Sequence, residues 1–162
     1  MHISTDAVFS ANENRPWGIK DHLSLLSHYE KSKALGEDPR SYVVRASFVA
    51  TCWRNRGIFD KLLIGSSYLD QKWNGVTVWT LAKRIVEIIN NYYENPKGVV
   101  EHVHSPNVIT FKELAAHIKS SSICDDYVKD ARPLQEGVIL PDIYTQIEEY
   151  INLVHSQYPG NI

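Results

Sequence analysis

The sequence predicts an α/β protein, with a small parallel sheet in residues 1–50 followed by a helix-rich α/β lobe in residues 51–162. Three observations support this prediction. The first fifty residues alternate strand, helix and strand with a long polar loop after the first strand, which is typical of parallel sheets. Amphipathic helical patterns dominate the remainder. The chain has 162 residues, of which 43% are hydrophobic and 22% charged, the composition of a folded domain with a buried core.

The first half contains one predicted helix between two predicted strands. Helical spacing of Leu25, Tyr29 and Leu35 indicates a helix that ends at Gly36. The β-branched and aromatic residues that follow indicate a buried strand. The predicted elements are, in order, a strand over 3–9, a polar loop over 10–20, a helix over 21–37 and a strand over 42–50.

The second half contains the most regular helical pattern of the chain. Leu81, Ile85 and Ile88 form one apolar stripe, which predicts an amphipathic helix. Alternating residues then predict a strand, and Thr110 with Glu113 has the spacing of a capping box that opens another helix. The predicted elements are a helix over 78–93, a strand over 99–104, a helix starting after Thr110 and a last helix starting at Pro141-Asp142.

Charge and composition exclude several classes of function. The net charge of −2 gives no electrostatic reason to expect nucleic acid or an anionic membrane as a partner. No apolar run reaches the length of a membrane-spanning helix, and the first residues lack the pattern of a secretory signal. The two cysteines form no C-x-x-C motif, and we expect both to be reduced in a cytoplasmic protein.

Tyr29 and Lys33 are four residues apart and therefore share one face of the predicted helix. A tyrosine acts as an acid or base near neutral pH only if its pKa falls well below 10. An ammonium group about 4 Å away in a partly buried site provides an interaction of the required size. The pattern is common by itself, and the alternative is a packed tyrosine beside a solvated lysine.

The motifs around this pair form an ordered set. Their positions are Ser4, Thr5, Asp6, Val8 and Phe9, then Tyr29, Ser32, Lys33, Gly36 and Glu37, then Arg45 and Ser47. The set resembles the motifs of extended short-chain dehydrogenase/reductases of the dTDP-4-dehydrorhamnose reductase type, a group of sugar-nucleotide reductases and epimerases. This resemblance covers about residues 2–120. It implies that residues 1–50 are the last strands of a Rossmann-type sheet and that residues 51–162 form a sugar-nucleotide-binding lobe.

The resemblance also implies roles for individual residues. Tyr29 is expected to protonate the keto oxygen of the sugar, and Lys33 to assist it and bind the nicotinamide ribose of NAD(P). Thr5 is expected to hydrogen-bond the same oxygen. Asp6 and Phe48 are expected to contact the substrate, a nucleotide-linked sugar. Phe48 stands where this group tends to have Trp, and Glu30 stands where it usually has Gly.

The sequence has no G-x-G-x-x-G motif or relative of it, although hydride transfer needs a dinucleotide held at a Gly-rich turn. In the group that turn precedes the strand of Thr5. We therefore expect that NAD(P) is not bound stably by this chain alone, and that the strand of Thr5 has an open edge that a partner chain could fill. The alternatives are a non-catalytic sugar-nucleotide-binding module or a truncated remnant.

His102 and His104 form an H-x-H pattern on a predicted strand, so their side chains point to the same side. Such a pair can begin a zinc site. The sequence offers no evident third ligand, and we expect two packed histidines and no metal.

Overall fold

The computed structural model describes most of the chain. It covers residues 1–9, 15–23, 27–50, 57–63, 71–91, 97–118, 129–130 and 138–157. The helices are α1 His28–Leu35, α2 Ile58–Leu63, α3 Val78–Asn90, α4 Phe111–His117 and α5 Ile143–Gln157, with a short 3-10 helix at Asp6–Val8. The strands are β1 His2–Ser4, β2 Val43–Ala46, β3 Phe48–Val49, β4 Gln71–Trp73, β5 Val76–Thr77, β6 Val100–His104, β7 Ile109–Thr110, β8 Lys129–Asp130 and β9 Val138–Ile139.

The main sheet is parallel and has the strand order β1-β2-β6-β9. Its register places Ile3 beside Val44, and Val44 beside Glu101. The α/β class and the parallel Rossmann-like sheet predicted from the sequence are therefore confirmed. The sheet takes two strands from each side of residue 50, and the division into two units at that position stays a prediction. Among the described strands, β1 is bonded on one side, to β2.

Two smaller sheets extend this framework. β3 pairs in parallel with β5, with Phe48 opposite Val76. β4 lies between β7 and β8, antiparallel to the first and parallel to the second. The second half is thus α/β, as predicted.

The two larger of three apolar clusters among the described residues pack the helices against the sheets; the third is formed by Val8, Phe9 and Trp17. The sheet core lies between the main sheet and α3, and its buried members are Val44, Ala46, Val76, Leu81, Ile88 and Val103. The lobe core joins α2, α4 and α5 to β4, and its largest members include Phe59, Leu62, Trp73, Leu114 and Ile147. Burying each such side chain contributes roughly 1.5–3 kcal/mol of transfer free energy.

The first strand is shorter than the sequence predicts. β1 ends at Ser4, and the predicted continuation through Phe9 is wrong. The Thr5 hydroxyl accepts a hydrogen bond from the Ala7 N–H and so caps the short helix at Asp6–Val8. A side chain that bonds the backbone two residues on competes with the ladder of a strand.

The helix predicted over 21–37 is also shorter, and the strand over 42–50 is divided. α1 begins at His28 because Ser27 caps it, and the stretch 24–26 lies outside the described residues. The divided strand gives β2 to the main sheet and β3 to the sheet of β5. Ser47 lies at the division and accepts a hydrogen bond from Trp73 Nε1 at 2.9 Å.

The other predicted elements are confirmed with small changes of boundary. α3 and β6 match their predicted ranges closely, although positions 92–93 of the predicted helix lie outside the described residues. Thr110 and Glu113 form the predicted capping box at the start of α4. The Asp142 carboxylate accepts from the N–H groups of Tyr144 and Thr145 and so opens α5. In the part of the chain that the structure covers, no helix has the length and apolar character needed to cross a bilayer.

Candidate functional site

The candidate site lies beyond the carboxyl end of β1. Thr5 and Asp6 follow that strand directly, and α1 packs against the short helix that begins at Asp6. Ligands of open parallel α/β sheets bind at this end of the strands. The fold therefore brings α1, which carries Tyr29 and Lys33, against the short helix that Thr5 caps.

Tyr29 and Lys33 lie on one face of α1, as the spacing predicts. The Lys33 ammonium is 5.9 Å from the centroid of the Tyr29 ring. Its Nζ also donates a hydrogen bond to the Ile3 carbonyl at 3.2 Å, which fixes the charge against β1. Tyr29 is 54% exposed, so its phenol is accessible to a ligand.

A reciprocal capping box starts α1. The Ser27 hydroxyl accepts from the Glu30 N–H at 3.1 Å, and the Glu30 carboxylate accepts from the Ser27 N–H at 2.8 Å. A negative charge on Glu30 would oppose the effect of Lys33 on Tyr29 if the two side chains were close. In the structure this carboxylate has a structural task at the helix start, where negative charge is favourable. α1 buries none of its own residues, so this cap is a main source of its stability.

Thr5 is 8% exposed and uses its hydroxyl locally. Besides accepting from Ala7, the hydroxyl donates to Asp6 Oδ1 at 3.3 Å. The nearby Ser47 side chain favours the charged form of the Asp6 carboxyl. Thr5, Asp6 and Ser47 thus form one polar group at the ends of β1 and β2.

Asp6 belongs to the candidate site, and the pKa of its carboxyl is strongly raised. Burial raises this pKa to about 6, against the hydrogen bonds from Thr5, Ser47 and the backbone that favour the charged form. Part of the residue still meets solvent. Asp6 therefore changes charge close to neutral pH, in contrast to an ordinary aspartate near 3.9.

Sequence reasoning missed a buried ion pair that joins three of the matching motifs. Arg45 donates to both carboxylate oxygens of Glu37, from Nε at 2.9 Å and from Nη2 at 2.7 Å. Ser4 donates to the same carboxylate at 2.6 Å. The network links the end of α1 to β1 and β2. The signal was present in the sequence, because all three residues belong to the motifs that carry the resemblance.

Gly36 ends α1 with ordinary right-handed backbone angles, φ −78° and ψ −11°. Its lack of a side chain matters because a Cβ here would lie 2.3 Å from Cε1 of the His2 ring. That ring contacts the Lys33 carbonyl through Nε2 at 3.1 Å. The glycine thus allows β1 to approach the end of α1.

Phe48 is 43% exposed and lies on β3. Its neighbour Ser47 accepts a hydrogen bond from Trp73 and favours the charged form of Asp6. Phe48 is therefore an exposed aromatic side chain that follows Ser47 directly in the sequence, and contact with a sugar stays a prediction.

His102 and His104 are both buried on β6. Phe9 packs edge-on against His102, with ring centroids 5.6 Å apart. His104 Nδ1 lies 2.9 Å from the Ser105 carbonyl oxygen. Within the described ranges, no three His, Cys, Asp or Glu side chains are grouped so that they could hold a metal ion.

Comparison with solved structures identifies proteins that share this fold. A dTDP-4-dehydrorhamnose reductase from Clostridium acetobutylicum ATCC 824 superposes with a TM-score of 0.71 at 17% identity, over 95% of this chain and 65% of that chain. A dTDP-4-dehydrorhamnose reductase from Bacillus anthracis str. Ames, in complex with NADP, gives 0.68 at 14% identity, over 94% and 64%. A UDP-N-acetylglucosamine 4-epimerase from Bacillus cereus gives 0.65 at 17% identity, over 93% and 63%.

The chain has the fold of these sugar-nucleotide reductases and epimerases. At the level of fold, the resemblance seen in the motifs is confirmed. The chain spans about two thirds of the length of each of these solved structures. The shared part of the reductase/epimerase fold includes the main sheet with α1.

Sequence comparison finds a relative whose name refers to polysaccharide biosynthesis. The spore coat polysaccharide biosynthesis protein SpsK of Bacillus subtilis (strain 168) is 26% identical over 137 residues, which cover 75% of this chain and 46% of that protein. The chain thus spans about half the length of this curated relative. No protein-family model matches the sequence.

Proposed function

We propose that this chain is the substrate-side part of an NAD(P)-dependent sugar-nucleotide reductase of the dTDP-4-dehydrorhamnose reductase type, acting on a keto-deoxysugar nucleotide. The observation that carries the proposal is the position of Lys33. Its ammonium is tied to the end of β1 and lies 5.9 Å from the Tyr29 ring, while Tyr29 remains exposed. A phenol beside a fixed cation, at the ligand-binding end of a parallel sheet, is suited to proton transfer.

The chemistry assigned to these residues is protonation of a ketone. Tyr29 Oη gives its proton to the keto oxygen as the carbonyl carbon is reduced, and regains a proton from solvent afterwards. Lys33 favours the negative charge left on the phenol oxygen. Thr5 offers a second hydrogen bond to the same oxygen, and Asp6 and Phe48 contact the sugar. A dihydronicotinamide, when bound, supplies the hydride.

The residues present fit one end of such a cofactor. Tyr29 and Lys33 are the residues proposed to meet the nicotinamide ribose. The Bacillus anthracis reductase, which has a similar fold, is in complex with NADP, and this supports NAD(P) as the cofactor. This sequence contains no Gly-rich turn of the kind that binds the phosphates of NAD(P). We therefore propose that a partner chain provides the phosphate site, with β1 as the edge to which it pairs.

Binding titrations test the proposal. NADPH and NADH are titrated into the purified chain by nicotinamide fluorescence, and a dTDP-linked 4-keto-6-deoxyhexose and its UDP analogue by calorimetry. We expect the sugar nucleotide to bind and the dinucleotides to bind weakly until a partner is added. Binding of the sugar nucleotide with no activity in any partner's presence would favour a non-catalytic binding module. Absence of all binding would refute the proposal.

Substitution of Tyr29 separates binding from chemistry. Tyr29→Phe removes only the phenolic oxygen of an exposed residue, so the fold and sugar-nucleotide affinity should change little. Reductase activity with the partner should fall by 10²-fold or more, the usual contribution of a positioned acid. Tyr42→Phe is the matched control, because the Tyr42 hydroxyl bonds Glu101 near the start of β6 and has no assigned part in the reaction.

A further inference from the structure

In the Thr5–Asp6–Ser47 group, the single proton of the Thr5 hydroxyl can be donated to only one acceptor at a time. A hydroxyl has one proton to donate and can accept two hydrogen bonds. Thr5 Oγ1 accepts from the Ala7 N–H at 3.2 Å, and its proton is directed to Asp6 Oδ1 at 3.3 Å. The Thr5 hydroxyl therefore has no second proton for another acceptor.

Ser47 lies beside the same carboxyl. The indole Nε1–H of Trp73 only donates, and it donates to Ser47 Oγ at 2.9 Å. The Ser47 hydroxyl also favours the charged form of the Asp6 carboxyl. An ionised carboxylate only accepts, so the Thr5 proton points to Asp6 when Asp6 is charged.

We infer that Asp6 is a positioning residue that holds the hydroxyl proton of Thr5 when it is ionised and releases that proton when it is protonated. A neutral Asp6 has an O–H of its own to donate to Thr5 Oγ1. Thr5 can then accept from Asp6 and Ala7 and donate to a third group. A keto oxygen only accepts, so only the second state lets Thr5 hydrogen-bond it. The consequence for a keto substrate rests on the proposed function, but the control of the proton does not.

The surroundings place this exchange near neutral pH. Burial raises the pKa of Asp6 to about 6, and the Lys33 ammonium on α1 is directed to the Ile3 carbonyl. The short helix packs against α1, whose other titratable side chains are His28, Tyr29, Glu30 and Lys31. Two groups on other elements contact Phe9, which follows the short helix: Arg45 of β2, which is paired with Glu37, and His102 of β6.

Nuclear magnetic resonance of the full chain tests the inference without any ligand. The ¹³C carboxyl signal of Asp6, assigned through Asp6→Asn, is followed from pH 3 to 9 in three proteins. Thr5→Val removes the donor and should raise the pKa of Asp6 by about one unit, the size of a hydrogen bond to a charged group. Thr5→Ser retains the hydroxyl and should leave the pKa within a few tenths of the native value.

The pKa of Asp6 in the variants decides whether the inference holds. A pKa that is the same in Thr5→Val and the native chain overturns the inference. Should Thr5→Val fail to fold, Thr5→Ala replaces it, since it also removes the hydroxyl and must raise the pKa of Asp6. An unchanged pKa in Thr5→Ala would show that Asp6 does not hold the Thr5 proton, and would equally overturn the inference.

A second measurement links the inference to the proposed substrate. Affinity for a dTDP-linked 4-keto-6-deoxyhexose should rise about five- to tenfold from pH 8 to pH 5 in the native chain and change less than twofold in Asp6→Asn. dTDP-glucose, with a hydroxyl at carbon 4, is the control. Equal pH dependence in native chain and variant overturns the inference while sugar binding upholds the proposed function. Absence of sugar binding alongside the expected pKa changes overturns the proposed function alone.

Discussion

Arg45 and Glu37 form a bidentate ion pair in which each side chain is only 6% exposed. Burial opposes ionisation of Glu37, but hydrogen bonds from Arg45 and Ser4 outweigh it and hold the pKa of this carboxyl below its usual range. The pair connects the end of α1 with β2 and, through Ser4, with β1. It therefore sets the position of the helix that carries Tyr29 and Lys33 relative to Thr5.

Removing one partner of this pair should be strongly destabilising. Arg45→Met leaves a buried carboxylate without its cation, and we expect the free energy of unfolding to fall by about 3–5 kcal/mol. Arg45→Lys keeps the charge but not the fork of two donors, so its loss should be smaller. Urea unfolding followed by circular dichroism measures both. The exposed pair Arg40–Asp38 provides the control, and Arg40→Met should barely move the midpoint. An equally small effect of Arg45→Met would contradict this role of the pair.

Asp6 should reduce stability as pH rises. Its folded-state pKa of about 6 lies above the ordinary value of 3.8, so between about pH 4 and pH 6 the folded state binds more protons than the unfolded state. The free energy of unfolding then falls with pH across this window, by at most about 3 kcal/mol. Asp6→Asn removes the titrating group, and urea unfolding at pH 4, 5, 6 and 7 should show that the fall has disappeared.

Asp38 supplies a control of opposite sign. Hydrogen bonds from Arg40 lower the pKa of Asp38 to about 2, so its contribution to stability is present near neutral pH and is lost as pH falls below about 4. Asp38→Asn should therefore leave the change between pH 4 and pH 6 intact. The same slope in Asp6→Asn as in the native chain would show that Asp6 does not titrate in this range.

The capping boxes of α1 and α4 should respond differently to the loss of the capping hydroxyl. Ser27 caps α1 and Thr110 caps α4, and Ser27→Ala or Thr110→Ala should each cost about 1 kcal/mol. α1 buries none of its residues, whereas α4 buries Phe111, Leu114 and Ala115. We expect Ser27→Ala to speed amide exchange about fivefold within α1 alone, because that helix can open locally.

The comparison with Thr110→Ala decides that point. α4 is anchored in the lobe core, so its loss of stability should appear in global unfolding and not as local opening. Hydrogen exchange measured by mass spectrometry distinguishes the two patterns. Exchange that increases throughout the chain in Ser27→Ala would show that α1 unfolds only with the rest of the protein.

Sequence reasoning predicted the elements that lie within one segment better than the features that depend on contacts between segments. The apolar stripe of α3 and the capping box of α4 lie within single segments, so periodicity and spacing were sufficient to find them. The end of β1 depended on whether the Thr5 hydroxyl bonds Ala7 or leaves the strand to continue, and the division at Ser47 depended on a hydrogen bond from Trp73, 26 residues away. Such choices are made by tertiary contacts.

The same reasoning applies to the candidate site. The spacing of Tyr29 and Lys33 predicted a shared face, which the structure has. It could not predict that the Lys33 ammonium bonds the Ile3 carbonyl or that burial raises the pKa of Asp6, because both depend on how α1 packs against the end of β1. Glu37 and Arg45 were recognised as matching residues, but their pairing joins positions on two elements and has no periodic signal.

Gly36 and His2 provide a test of why the glycine is needed. Backbone angles at Gly36 suit alanine, so Gly36→Ala would by itself stabilise the chain by roughly 0.4–1 kcal/mol through the unfolded state. The added Cβ, however, would lie 2.3 Å from the His2 ring and displace its contact with the Lys33 carbonyl. We expect Gly36→Ala to be destabilising in the native chain and stabilising when His2 is already alanine. A double-mutant cycle of unfolding free energies measures this coupling, and additive effects would indicate that the close approach of His2 is not the reason for glycine at position 36.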